Sequence, residues 1–157
     1  RAIHAFERAL EIKPDKENAR EGLGDSYAEL GFQYIEHNRH DLAIEAYRQA
    51  LHFNPDDRLA RISLGWLLYY QERWQDAIKQ HQLALKQEVD AEAQFALGLA
   101  YLASGNNIAA QKTISEGIRL FGADEARRVG AVQSLDVLMR NDEENFVARK
   151  IRMTYWP

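Results

Sequence analysis

One pattern recurs along the 157 residues: an alanine, a bulky residue four places on, a small residue seven places on, then Leu or Ile. It occurs as Ala2, Phe6, Ala9 and Leu10; as Ala43, Tyr47, Ala50 and Leu51; as Ala77, His81, Ala84 and Leu85; and as Ala110, Ile114, Gly117 and Ile118. Steps of three and four place these residues on one face of a helix. Ahead of the last three stand Leu30-Gly31, Leu64-Gly65 and Leu97-Gly98, each followed three residues after the glycine by Tyr34, Leu68 or Tyr101. That marks a second helix in each unit. The leading alanines lie 41, 34 and 33 residues apart. A unit of that length holds two helices and two short turns, and it can bury its apolar face only against its neighbours. The expected fold class is all-α, an α-solenoid of antiparallel helical hairpins.

The residue types explain the spacing. Glycine and alanine recur where helices cross because a minimal side chain lets two backbones approach, while Tyr and Leu in the next slots fill the gaps. Pro14 and Pro55 cannot continue a helix, and each pushes the residue before it to extended geometry, which ends a hairpin. With Leu-Gly then Tyr on the first helix, Ala, aromatic and Ala on the second, and Pro at the exit, the sequence resembles the tetratricopeptide repeat (TPR) family. The resemblance covers residues 1–124. It implies a partial unit at 1–16, units at 24–57, 58–90 and 91–124, and a superhelical stack. Val89 and Gly122 stand where Pro is expected, and Arg61 and Gln94 where a bulky residue opens the first helix.

The 41-residue spacing has its own origin. Residues 23–29 (Leu-Gly-Asp-Ser-Tyr-Ala-Glu) and 30–36 (Leu-Gly-Phe-Gln-Tyr-Ile-Glu) are one heptad written twice. Seven extra residues lengthen a helix by about 10 Å and turn its face by only about 20°. One long helix is expected over 17–37. Its N-terminal end either offers a ledge for docking or packs on an upstream repeat.

Past Gly122 the repeat pattern stops. Asp124 is positioned to cap a helix over 125–139 with Val129, Val132, Leu135 and Leu138 available for burial. Asn141 and Asp142 punctuate it, and a last helix over 143–152 would carry Phe146, Val147 and Ile151. Residues 125–157 are read as capping helices, a degenerate fifth hairpin that closes the stack. Tyr155-Trp156-Pro157 implies either packing back onto that cap or a cut end. At the other terminus Arg1 opens in mid-repeat, so the chain is expected to be a fragment.

Composition narrows the function classes. A net charge of −4 without clustered Lys and Arg argues against nucleic acid and anionic membranes. The longest apolar run, 93–103, is about half a membrane span. No cysteine is present, which excludes disulfides, thiolate metal sites and a cysteine nucleophile. The compartment is left open.

The resemblance implies that the first helices line a concave groove. Carried over by register, the lining is Asp25, Ala28, Glu29, Phe32 and Ile35 from the first full unit. The second contributes Leu59, Ile62, Ser63, Trp66, Tyr69 and Tyr70, and the third Glu92, Phe95, Leu99 and Leu102. An apolar strip fringed by carboxylates is costly to leave in water. The expected occupant is a peptide or partner protein with apolar anchors and basic residues. The alternatives are that the capping helices or a second copy of the chain fill the groove, the open N-terminal repeat being another route to a homo-oligomer. The chain would then be an interaction scaffold, or else the accessory region of a larger enzyme or of a secretion or assembly component. Some family members grip a C-terminal carboxylate with Lys, Arg and Asn. The corresponding slots here hold Asp25, Ala28, Phe32, Ser63, Leu59, Glu92 and Ala96, a negative fringe that argues against such a ligand.

No catalytic constellation emerges, and no cofactor is implied. His37 and His40 lack a third ligand at a useful spacing, and His81 occupies a core slot of the repeat. Gly22-Leu23-Gly24 begins like a dinucleotide fingerprint, but lacks the third glycine and a preceding strand. The chain is read as a non-enzyme.

Overall fold

Where the sequence repeats small residues, the structure brings helices together. The computed structural model describes every residue except Arg1, Pro14, Asp15 and residues 142–144. The expected exit at Pro14, the punctuation at Asp142 and the helix start at Glu143 lie outside the described residues. These form ten α-helices: α1 (Ala2–Ile12), α2 (Glu17–Glu36), α3 (His40–Phe53), α4 (Arg58–Tyr70), α5 (Trp74–Gln87), α6 (Ala91–Ala103), α7 (Asn107–Phe121), α8 (Ala123–Arg128), α9 (Ala131–Asn141) and α10 (Phe146–Tyr155). They group into two units, Arg1–Leu67 and Leu68–Pro157.

In the first unit α2 packs on α1 and along α3. A Cβ on Gly31 would stand 3.0 Å from the Tyr47 ring, and one on Gly24 would stand 2.8 Å from Asn54 Cβ. Seven residues back on α2 is seven residues on along α3, so the helices are antiparallel and both copies of the doubled heptad use their glycine against the same neighbour. Gly22 faces the Phe6 ring of α1. The N-terminal turns of α2 therefore lie against the helix before them at Gly22. The glycines of the fingerprint-like stretch are helix-packing positions.

In the second unit α6 packs on α5 and α7. Gly98 meets Ile114, and Gly117 meets Phe95 at 2.8 Å from where its Cβ would be, again an antiparallel register. Each hairpin turn is closed alike. The left-handed residues Asn38, Glu72 and Gly105 donate their N–H groups to Ile35, Tyr69 and Leu102, and the next residues donate to Tyr34, Leu68 and Tyr101. These paired bonds satisfy the last carbonyls of the first helix. Second turns end on side-chain caps, Asp57 to the Ala60 N–H at 2.9 Å and Asp90 to the Ala93 N–H at 2.8 Å.

The C-terminal region departs from expectation. The single helix expected over 125–139 is two, α8 and α9, broken at Gly130, whose φ of +78° leaves the helical region. Asp124 does not cap α8, because Gly122 occupies the cap position and no side chain bonds there. α10 begins at Phe146, capped by Asn145 through the Ala148 N–H at 2.9 Å. α9 and α8 pack on α6, and α10 on α9 and α7. The chain end folds back on this cap: Trp156 is buried and its Nε1 donates to the Ala123 carbonyl at 3.0 Å, while the Tyr155 hydroxyl bonds Ser115 at 2.8 Å.

Candidate functional site

The residues assigned to a groove separate into open and buried sets. In the first unit Asp25 and Glu29 are exposed, Phe32 and Leu59 are 53% and 66% exposed, and Ile35 and Trp66 are half-buried. In the second unit Glu92 is exposed, Tyr69 is half-buried and Tyr70 is 67% exposed.

Ile62, Phe95, Leu99 and Leu102 are core residues instead, none more than 3% exposed. α4 is closed at Ala60, Ile62, Leu64 and Leu67 together. α6 is enclosed on nearly every face because α8 and α9 cover the side that α5 and α7 leave. Phe95 lies over Gly117. The apolar surface that the register assigns to α6 is thus buried within the chain itself, against α7 at Phe95 and with α8 and α9 packed on the same helix.

One opening in the second unit is a cleft of about 640 Å³. The end of α4, the following turn and the start of α5 supply Tyr69, Tyr70, Glu72 and Trp74, and Leu102 and Asn107 come from the end of α6 and the start of α7. The cap adds Val137, Asn141, Asn145 and Phe146. Leu102 therefore belongs to its floor, not its rim. Tyr69 and Tyr70 meet edge to face with centroids 5.5 Å apart, and burial with Tyr70 beside it pushes the Tyr69 hydroxyl up to about 12. It is a neutral hydrogen-bonding group at every ordinary pH. Phe146, which the sequence placed on the last helix and assigned to no site, is 78% exposed at the cleft, and Val137 is 43% exposed. Sequence reasoning missed both, as well as Trp74. The signal was Asn145: as the cap of α10 it fixes Phe146 at the first helical position, where it projects outward.

Among the described residues no group of three or more His, Cys, Asp or Glu could hold an ion. His81 is fully buried in the second unit, and burial pushes its pKa down to about 4.

A sequence model of the tetratricopeptide repeat matches residues 33–89 and 64–111. The chain belongs to the tetratricopeptide repeat family. Human Tetratricopeptide repeat protein 6 is 32% identical over 126 residues, 76% of this chain, which spans only 22% of that relative's length. Among solved structures, MamA is similar with a TM-score of 0.58 at 22% identity, over 95% of this chain and 81% of its own. YrrB, a TPR protein, follows at 0.57 and 15% identity, covering 98% and 84%. The APC/C hetero-tetramer Cut9–Hcn1 gives 0.55 at 17%, covering 99% of this chain and 39% of that one. At these identities the structures speak for the fold alone, that of tetratricopeptide solenoids. That fold suggests a protein–protein interaction scaffold with protein or peptide partners, and TPR proteins are generally non-catalytic. No described helix is long and apolar enough to cross a membrane.

Proposed function

We propose that this TPR chain holds a protein or peptide partner through an apolar anchor seated in the aromatic cleft of Tyr69, Tyr70 and Trp74. The observation that carries this reading is the coincidence of a roughly 640 Å³ opening with three large apolar side chains, Tyr70, Val137 and Phe146, left in water at its edge. Exposed aromatics around a recess are the usual anchor points of interfaces. Asn107, Asn141 and Asn145 supply hydrogen-bonding groups, and Glu72 is the one charged residue of the lining among the described residues. A basic residue flanking the anchor fits it. YrrB, of the same fold, is described as having an unusual peptide-binding site. On the first unit, Phe32, Leu59, Asp25, Glu29, Ile35 and Trp66 offer apolar and acidic groups of the same kinds, and we assign them to contacts of that unit in its own right.

The test is affinity selection of partners on the intact chain, followed by titration against Tyr70→Ala and Phe146→Ala. Each should weaken binding about tenfold or more without altering the melting curve, the size of effect expected at an interface anchor. Unchanged affinity in both variants would remove the cleft from the site, and unchanged affinity in Phe32→Ala would remove the first unit.

A further inference from the structure

The capping helices carry a second recess of opposite character. Between α9 and α10 lies a cleft of about 570 Å³ lined by Asp136, Met139, Arg140, Arg149, Arg152 and Met153. Three arginines face one aspartate there, in a chain whose net charge is −4. Arg152 is committed to the fold: its Nε bonds Asp136 at 3.1 Å and it also donates to the Trp156 carbonyl. Asp136 is thereby neutralised. Arg140 and Arg149 are exposed. Arg140 donates only to the backbone carbonyl of Asp136, and neither forms an ion pair among the described residues. The two methionines of the chain, Met139 and Met153, share the recess, and Met153 is 73% exposed.

We propose that this cleft docks an acidic protein segment, with an apolar side chain inserted between the methionines and carboxylates meeting Arg140 and Arg149. Guanidinium groups bind carboxylates through paired hydrogen bonds, a geometry that lysine does not offer. Methionine is unbranched and polarisable and adapts to varied apolar shapes. The positive surplus beside an adaptable apolar pocket selects for acidic residues around an aliphatic or aromatic one. A flat anionic membrane matches the charge but not the shape. The apolar side of α10 is spent inside the cap, where Ala148 and Ile151 are buried, and what faces outward is a recess rather than an apolar ridge. The site is distinct from the aromatic cleft, sharing no lining residue with it.

Differential peptide display tests the assignment. A random library is enriched on the 157-residue chain and then depleted on the Arg140→Glu/Arg149→Glu variant. Surviving sequences should carry Asp or Glu around an apolar residue. A synthetic copy of one should bind the parent, lose about tenfold or more on the variant as expected for removal of close charge partners, weaken with Met153→Glu, and keep its affinity for Tyr70→Ala. Arg149→Gln, which removes one charge without reversing it, should give a smaller loss in the same direction. Unchanged melting curves identify the effect as local. A depleted pool that is empty or lacks acidic residues overturns the proposal. So does sedimentation of the parent but not of the variant with phosphatidylserine vesicles, which assigns the patch to lipid, or a parent self-association that the variant abolishes, which assigns it to a second copy.

Discussion

Glu72 is held at φ +59°, in the left-handed region that costs a side-chain-bearing residue about 1 kcal/mol or more. Gly105 meets the same demand in the next hairpin at φ +80°, and Asn38 in the preceding one at φ +55°. Replacing Glu72 with Gly should therefore stabilise the chain by roughly 0.5–1 kcal/mol, a rise of about 2–3 °C in thermal unfolding. Asn38→Gly should gain less, since Asn tolerates this conformation. A fall in melting temperature for Glu72→Gly would mean that its side chain contributes more than its backbone costs. His81 makes a second prediction at this scale. Burial lowers its folded-state pKa from 6.5 to about 4, so the unfolded chain takes up a proton that the folded chain refuses. Its contribution is fully present above pH 6.5 and is lost as pH falls toward 4. A tenfold change in proton affinity corresponds to about 1.4 kcal/mol, which makes the loss about 3 kcal/mol. Urea unfolding at pH 7 and pH 4.5 should show it, and His81→Tyr, which places there the residue that fills the same slot at position 47, should flatten the difference. An equal pH dependence in both proteins would rule out His81 as its source.

At the scale of helices, much was legible because the repeat is written in residue size. Gly24, Gly31, Gly98 and Gly117 sit where neighbouring side chains crowd any added Cβ, and all four are among the positions the internal comparison picked out, Gly65 being the other. Gly98→Ala makes this quantitative. In an open helix the change stabilises by about 1 kcal/mol, but here the new methyl would overlap Ile114 Cγ1. Overpacking of about 1–3 kcal/mol should reverse the sign. Combining it with Ile114→Ala should recover part of that loss in a double-mutant cycle, and strict additivity would show that the two helices do not touch at that point. Other elements were not legible. The apolar series Val129, Val132, Leu135 and Leu138 continues through Gly130 without a gap, so periodicity alone gave one helix where the backbone makes two. The register also marked Phe95 and Leu99 as groove-lining. It identifies a helix face but carries no information about what lies over that face: Phe95 lies over Gly117 of α7, and α8 and α9 add further cover to α6.

For the molecule as a whole, the consequence is that the final residues complete the core of the second unit. Trp156 is 1% exposed, and its indole N–H closes on Ala123 at the junction of α7 and α8. Ile151 and Leu135 are buried in the same cap. Truncating a buried tryptophan costs about 3–5 kcal/mol, a large share of the stability of a typical domain. In repeat arrays each element depends chiefly on its immediate neighbours, so such a loss stays local. Trp156→Ala should therefore speed amide hydrogen exchange in α8, α9 and α10, and in α6 which α8 and α9 cover, while leaving α1, α2 and α3 at parental rates. Because Phe146 stands on α10, the same substitution should weaken a partner held at the aromatic cleft even though Trp156 does not line it. Equal acceleration in α2 and α8 would show that the chain unfolds as one cooperative block, and the cap would then stabilise the whole array rather than the unit it closes.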